Sequence, residues 1–416
     1  MTVLIAFTLF TCEYDDYPDP IWDEDDAGNA TPVITSVSPA NLAYEGITEV
    51  TITGTGFSAV PSQNQVTFNG FAASIDEAKS SATQIVLTTP VFITESKGEE
   101  YNSVDSVKIL VAAQGAYVGA TYDQVFKVER AVIKLGGFVG EAPAKNANAI
   151  TSDGNRIFVT AEDKNIYVID AAGERSVFGT TATTIINDLK MGPDSAVYFA
   201  RGIPYVYRYD PAGGSAIRWH RVGSKIRCLD FDENQDIYCG GANDSLYWVD
   251  VDNEFNRGVA PAEDYSYVSI RVYDGYVYVV GTYTGGDATV SPTQALWRHE
   301  ILAGQDTLGA REVVYDWSDW AYSDEQDIAS MVVDENGLFY LGTSTGSGPA
   351  IVTLDPGTGT TGIFYDAVTA APIEHMFMGE DNYIYAITVD ADNTDEITTI
   401  PVRIAQGNNG APYYGF

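Results

Sequence analysis

Apolar and polar residues alternate with a period of two in short runs along this chain, and Gly, Asn, Asp and Pro punctuate the runs. Between residues 32 and 129 the runs are Val33–Val37, Val50–Phe57, Val66–Gly70, Gln84–Pro90, Val107–Val111 and Gln124–Val128. Turn signals every 8 to 20 residues with no helical period predict a β-sandwich here.

From residue 131 to 416 the alternation acquires a longer period. Six segments place an Asp/Asn/Gly-rich turn before a strand with an aromatic anchor: Phe158, Tyr198, Tyr238, Tyr278, Tyr340 and Tyr385. The first four anchors are 40 residues apart, and the acids Asp170, Asp210 and Asp250 that close the next strand keep the same step. A short alternating strand precedes most anchors, as in Leu189/Met191 and Met331/Val333, and a fourth strand follows, as in Arg218–Val222. Four short strands per forty residues describe a propeller blade, and a lone blade leaves both sheet faces uncovered. Six repeats therefore predict a six-bladed β-propeller, with Ala131–Leu135 completing the last blade from the other end of the ring.

The order P-x-I-x-x-V-x-P, T-I-T-G-x-G-F, V-x-F-N-G and S-x-T-x-I-V-L-x-x-P across residues 32–129 resembles the IPT/TIG family of immunoglobulin-like domains. That resemblance implies a spacer or protein-contact domain with no catalytic apparatus. The turns Asp334–Tyr340 and Asp232–Tyr238 are similar to those of NHL-type propellers, a resemblance that concerns fold only. The fold class is thus all-β: an immunoglobulin-like β-sandwich plus a six-bladed β-propeller.

The N-terminus changes the picture of where the chain works. Val3–Phe10 is a short apolar run followed by Thr11 and Cys12, which resembles the end of a bacterial lipoprotein signal peptide; the other reading is a buried N-terminal strand. The resemblance implies lipidation of Cys12. Residues 13–31 carry eight carboxylates and no base, a self-repelling composition that predicts an extended tether. Acidic residues directly after such a Cys resemble the export signal of surface lipoproteins in polysaccharide-foraging Gram-negative bacteria. The segments are then 1–12, 13–31, 32–129 and 131–416. The implied address is the extracellular face of the outer membrane, lipid-anchored.

Charge excludes some partners. The 416 residues hold 22 basic and 58 acidic side chains, a net −36, which disfavours nucleic acid because phosphate contacts need clustered Lys and Arg. No apolar run reaches spanning length. Catalytic chemistry is poorly served: His220, His299 and His375 fall on different repeats, and no nucleophile order or H-x-x-x-H spacing occurs. Asp230, Asp232, Asn234 and Asp236 have the spacing of a calcium loop, but they lie on a hairpin and position twelve is Gly241 rather than Glu, so no metal and no cofactor are expected. Cys228 and Cys239 flank that hairpin symmetrically, which offers either a cross-strand disulfide or two packed thiols.

The fourth repeat departs from symmetry. Anchor to acid spans 22 residues there against 12 in the first three, so residues 282–293 are an inserted loop, and residues 316–324 lengthen the connection to the fifth. Both loops emerge on one face of a propeller. Tyr283, Trp317, Trp320 and Tyr322, with Tyr265 and Tyr267 beside them, are therefore the candidate ligand-binding residues. Aromatic rings beside Asp and Ser oxygens suit pyranose binding, and the same rings serve equally as plugs between blades. Spacer domains ending in a binding domain resemble surface glycan-binding lipoproteins that accompany outer-membrane polysaccharide transporters. The alternatives are an adhesion or assembly protein whose propeller docks a protein partner, and a propeller hydrolase or lactonase.

Overall fold

The computed structural model describes residues 28–93, 102–138, 146–211, 214–242, 246–252, 255–260, 264–287, 289–302, 307–365, 369, 371–390 and 399–415. Cys12 and nearly all of the acidic segment lie outside the described residues. Two compact units result, one of residues 28–93 with 103–128 and one of residues 129–415 with residue 102. Apart from two single 3-10 turns, the regular structure of the described residues is strand.

The first unit is a sandwich. Val33–Ser38, Glu49–Thr55, Gln84–Thr88 and Ser74–Ile75 form one sheet, and Ile109–Ala113 and Asn64–Phe68 lie at the centre of another. Their inward positions (Val50, Ile52, Val66, Phe68, Ile85, Leu87, Ile109, Val111) are buried together with Phe126. The T-I-T-G-x-G-F motif has a steric cause. A Cβ on Gly54 would stand 2.1 Å from the Val33 carbonyl and 2.5 Å from the Phe57 ring, and Gly56 sits at φ +72°.

The second unit contains six four-stranded antiparallel sheets. Their innermost strands are Ala147–Ser152, Asp188–Met191, Cys228–Phe231, Tyr265–Tyr273, Ile328–Val333 and Ile373–Phe377. Each packs on the next, and the sixth returns to the first, so the ring is closed. Val132–Lys134 pairs antiparallel with Thr399–Ala405 and supplies the outermost strand of the sixth blade. All six aromatic anchors are buried in second strands, where the stacked sheets exclude water.

Side chains stitch every seam of the ring to a neighbouring backbone. Met191 N donates to Thr151 Oγ1 (3.3 Å), Leu229 N to Asp188 (2.8 Å), and Val272 N to Asp230 (2.8 Å). Ile328 N donates to Gln294 Oε1 (2.7 Å), Ser330 Oγ to the Ile373 carbonyl (2.8 Å), and Ile150 N to His375 Nδ1 (3.3 Å). A polar group buried in this way is stabilising only because it is paired, which explains polar residues inside otherwise apolar strands.

The disulfide alternative is excluded by register. Leu229 opposes Cys239 and Cys228 opposes Gly240, so the two cysteines are one residue out of step and point to opposite faces of the sheet. They sit in different core clusters as buried free thiols. The cause is the turn: five residues, 232–236, close the hairpin, with Gln235 at φ +67°.

A candidate ligand-binding face and the axis beneath it

The blade-to-blade connections and second-to-third-strand loops share one face, called here the connection face. The aromatic residues expected to gather there divide into two sets. In the first, Tyr265 packs edge-on against Tyr283 (5.4 Å) and Trp297 (4.7 Å), and its hydroxyl donates to the Pro292 carbonyl (3.0 Å). Tyr267 and Trp297 close over Gly281, where a Cβ would lie 3.0 and 2.8 Å from their rings. Tyr265 and Tyr267 are buried and Tyr283 is half-buried, so the inserted loop folds back on its own blade. Tyr265 and Tyr267 therefore serve packing, and half-buried Tyr283 packs against Tyr265 while keeping part of its surface open.

The second set forms a shelf. Asp316 caps the 3-10 turn Trp317–Asp319 by accepting from Ser318 N (3.0 Å). Trp317 is buried, its indole N–H donating to the Gln326 carbonyl (2.6 Å), which removes it too from the ligand-facing residues. Trp320 stacks on Trp317 (6.0 Å, 27°) and is half-buried; Tyr322 lies beside Trp320 (6.1 Å) and is 37% exposed. Gln326 fixes the base of this connection by donating to Thr343 Oγ1 (3.1 Å) and to the Ser344 carbonyl (3.1 Å). Of the six predicted residues, Tyr283, Trp320 and Tyr322 keep exposed surface, and Trp320 and Tyr322 share one segment with Asp316, Asp319, Asp324 and Glu325.

Sequence reasoning missed the axis. Asp188 is buried and accepts from Lys190 Nζ (3.1 Å), while His375 Nε2 lies 2.9 Å from the same oxygen. Burial alone would raise the Asp188 pKa; Lys190 first, and then His375, reverse this and hold it at about 2. Burial lowers the His375 pKa despite the bond to Asp188. Because Ile150 N–H occupies Nδ1, the ring is neutral with its proton on Nε2. Two strands away, Arg271 pairs with Asp230 (2.9 Å) and also donates to the Ala411 and Pro412 carbonyls (3.1 and 2.8 Å). Asp230 is thus committed to the blade seam, and among the described residues no group of three acidic, His or Cys side chains is placed to hold a metal.

The last residues close the opposite mouth of the axis. Tyr413 is buried, its hydroxyl donating to the Met191 carbonyl (2.6 Å) and its ring set edge-on to Phe377 (5.1 Å) and Phe231 (6.4 Å). A cavity of about 10 Å³, the size of one water, remains between Tyr413, Lys190, Asp230 and Arg271.

An immunoglobulin-like domain followed by a propeller is therefore the class of this protein. Residues 32–125 match the IPT/TIG domain family. An auxiliary nutrient binding protein from Bacteroides thetaiotaomicron has a similar fold, with TM-score 0.50 at 13% identity over 90% of this chain and 98% of that one. A protein of the same description from Bacteroides ovatus gives TM-score 0.48 at 14% identity over 90% and 98%. A gluconolactonase from Xanthomonas campestris gives 0.49 at 11% identity over 66% of this chain and 89% of that one. Similarity at these identities concerns fold alone. No curated protein matches the sequence.

Proposed function

We propose that this protein captures carbohydrate without altering it. It is held through lipidated Cys12 at the outer face of the outer membrane, where it serves a polysaccharide uptake system. The reading rests on the shelf of Trp320 and Tyr322, a pair of rings on the connection face whose segment also carries exposed carboxylates and hydroxyls. Such a surface covers the apolar face of a pyranose and accepts its hydroxyls. The auxiliary nutrient binding proteins supply the analogy for a binding role, and acting from a membrane surface lets many weak sites combine by avidity.

The purified full chain is screened on a glycan array and by gel retardation in polysaccharide. Trp320→Ala/Tyr322→Ala is expected to lose the glycan signal while its melting temperature stays near wild type. An unchanged binding profile refutes the shelf, and turnover of lactones or glycosides refutes capture without chemistry. A protein partner is the second reading, favoured by exposed Phe71, stacked on Phe92 at 5.4 Å, and exposed Val91 in the first unit.

A further inference from the structure

Four innermost strands of the propeller carry one extra residue at the same place, and in the other two the residue just before the strand holds the equivalent position. In four blades the register skips it: Asn148, Val268, Ala329 and Glu374 are bulged out between paired neighbours. In the other two, Asn187 N and Arg227 N share the Ala200 and Gly240 carbonyl positions with the paired residues that follow them. The six positions are equivalent, each three residues before the one that pairs with the aromatic anchor, or with Tyr385 in the sixth blade. They form a ring at the connection-face end of the axis. Asn187, Arg227 and Glu374 are exposed and the other three half-exposed, while the strands around them are buried. A bulge re-aims a side chain out of the pleat, and all six equivalent positions lie at one mouth.

The ring is not uniform. In blade order, Glu374, Asn148, Asn187 and Arg227 make a continuous polar arc, and Val268 with Ala329 makes an apolar one. Arg227, in the third blade, and Glu374, in the sixth, stand on opposite rims. Neither side chain has a hydrogen bond or ion pair among the described residues, although acids outnumber bases 58 to 22 in this chain. Asn148 spends one N–H on the Thr184 carbonyl (3.0 Å), leaving its oxygen available.

We infer that this axial mouth binds a polyhydroxylated carboxylate, the chemistry of a uronic-acid residue. Arg227 takes the carboxylate through its two-pronged guanidinium, Asn148, Asn187 and Glu374 take hydroxyls, and Val268 with Ala329 face the C–H side of the ring. Glu374 on the far rim repels a carboxylate and so fixes which end of the ligand enters. The inference shares with the proposed function the idea of a sugar ligand, but its residues are separate from the shelf.

Isothermal titration calorimetry on the full chain tests it with galacturonic acid, glucuronic acid, glucose and acetate. Uronates are expected to bind at least tenfold more tightly than glucose, which lacks the carboxylate, or acetate, which lacks the hydroxyls. Arg227→Gln, an exposed change that leaves the fold intact by circular dichroism, is expected to cost uronate at least tenfold in affinity and to leave glucose unchanged. Trp320→Ala/Tyr322→Ala is expected to keep uronate affinity whatever it does to polysaccharide retention. Equal binding of uronate and glucose, full affinity in Arg227→Gln, or loss of uronate binding in the shelf variant would each overturn the assignment.

Discussion

Asp188 ties three blades together through one buried carboxylate. Its carboxylate accepts from Leu189 N (2.8 Å) and from Leu229 N of the next blade (2.8 Å), and it neutralises Lys190 while bonding His375 from the sixth blade. Asp188→Asn keeps the shape, but it turns an acceptor into a donor facing other donors and leaves the Lys190 ammonium, 9% exposed, without a counter-charge. Breaking a buried pair from one side costs about 3–5 kcal/mol. Proton linkage gives a figure of the same order: lowering the Asp188 pKa from 3.8 to about 2 corresponds to about 2 kcal/mol. Five of the six tryptophans belong to the propeller, so tryptophan fluorescence in a urea titration at pH 7 follows this unit. Asp188→Asn is expected to lose about 3–5 kcal/mol, and Asp188→Asn/Lys190→Met to recover part of it by removing the stranded charge. A loss below about 1 kcal/mol, or no recovery in the double variant, refutes the account.

Other consequences are equally direct. Since the folded pKa of His375 lies below its unfolded value of 6.5, its contribution is complete above pH 6.5 and fades as pH falls below it. Asp188 adds a second loss between pH 3.8 and about 2. The urea midpoint should therefore drop from pH 8 to pH 5 and again below pH 4; a flat profile down to pH 5 contradicts the buried neutral imidazole. Burial raises the pKa of both Cys228 and Cys239, so alkylation should reach them only after unfolding, and a disulfide-linked peptide in non-reduced mass spectrometry would disprove the register. Tyr413→Ala removes a buried ring from the axis and should cost about 3–5 kcal/mol in the same urea assay.

The architecture was legible because it is periodic. The aromatic anchors had to repeat, since each second strand is covered by a neighbouring blade on either side, and Gly54 and Gly56 had to be glycine because Val33, Phe57 and a positive φ leave no alternative. The connection face was legible only in part: loop lengths placed Trp317, Trp320 and Tyr322 on one connection, but they could not say that Gln326 would draw Trp317 inward and leave its two companions at the surface. The bulged ring left a faint trace, residues 10 or 11 positions before each anchor, which a strict period of two conceals.

By itself, then, the order of residues determined the repeating unit, the number of units and the glycines that the turns require. These are local properties, fixed by side-chain size and by the alternation of a pleated strand. Tertiary structure alone decided the rest. Asp188 meets His375 across 187 residues of chain, Cys228 and Cys239 part company because one turn has five residues, and six equivalent positions, four of them bulges, gather at one mouth because a ring brings them together. Contacts of that kind depend on register and closure, and neither is written in any single stretch of sequence.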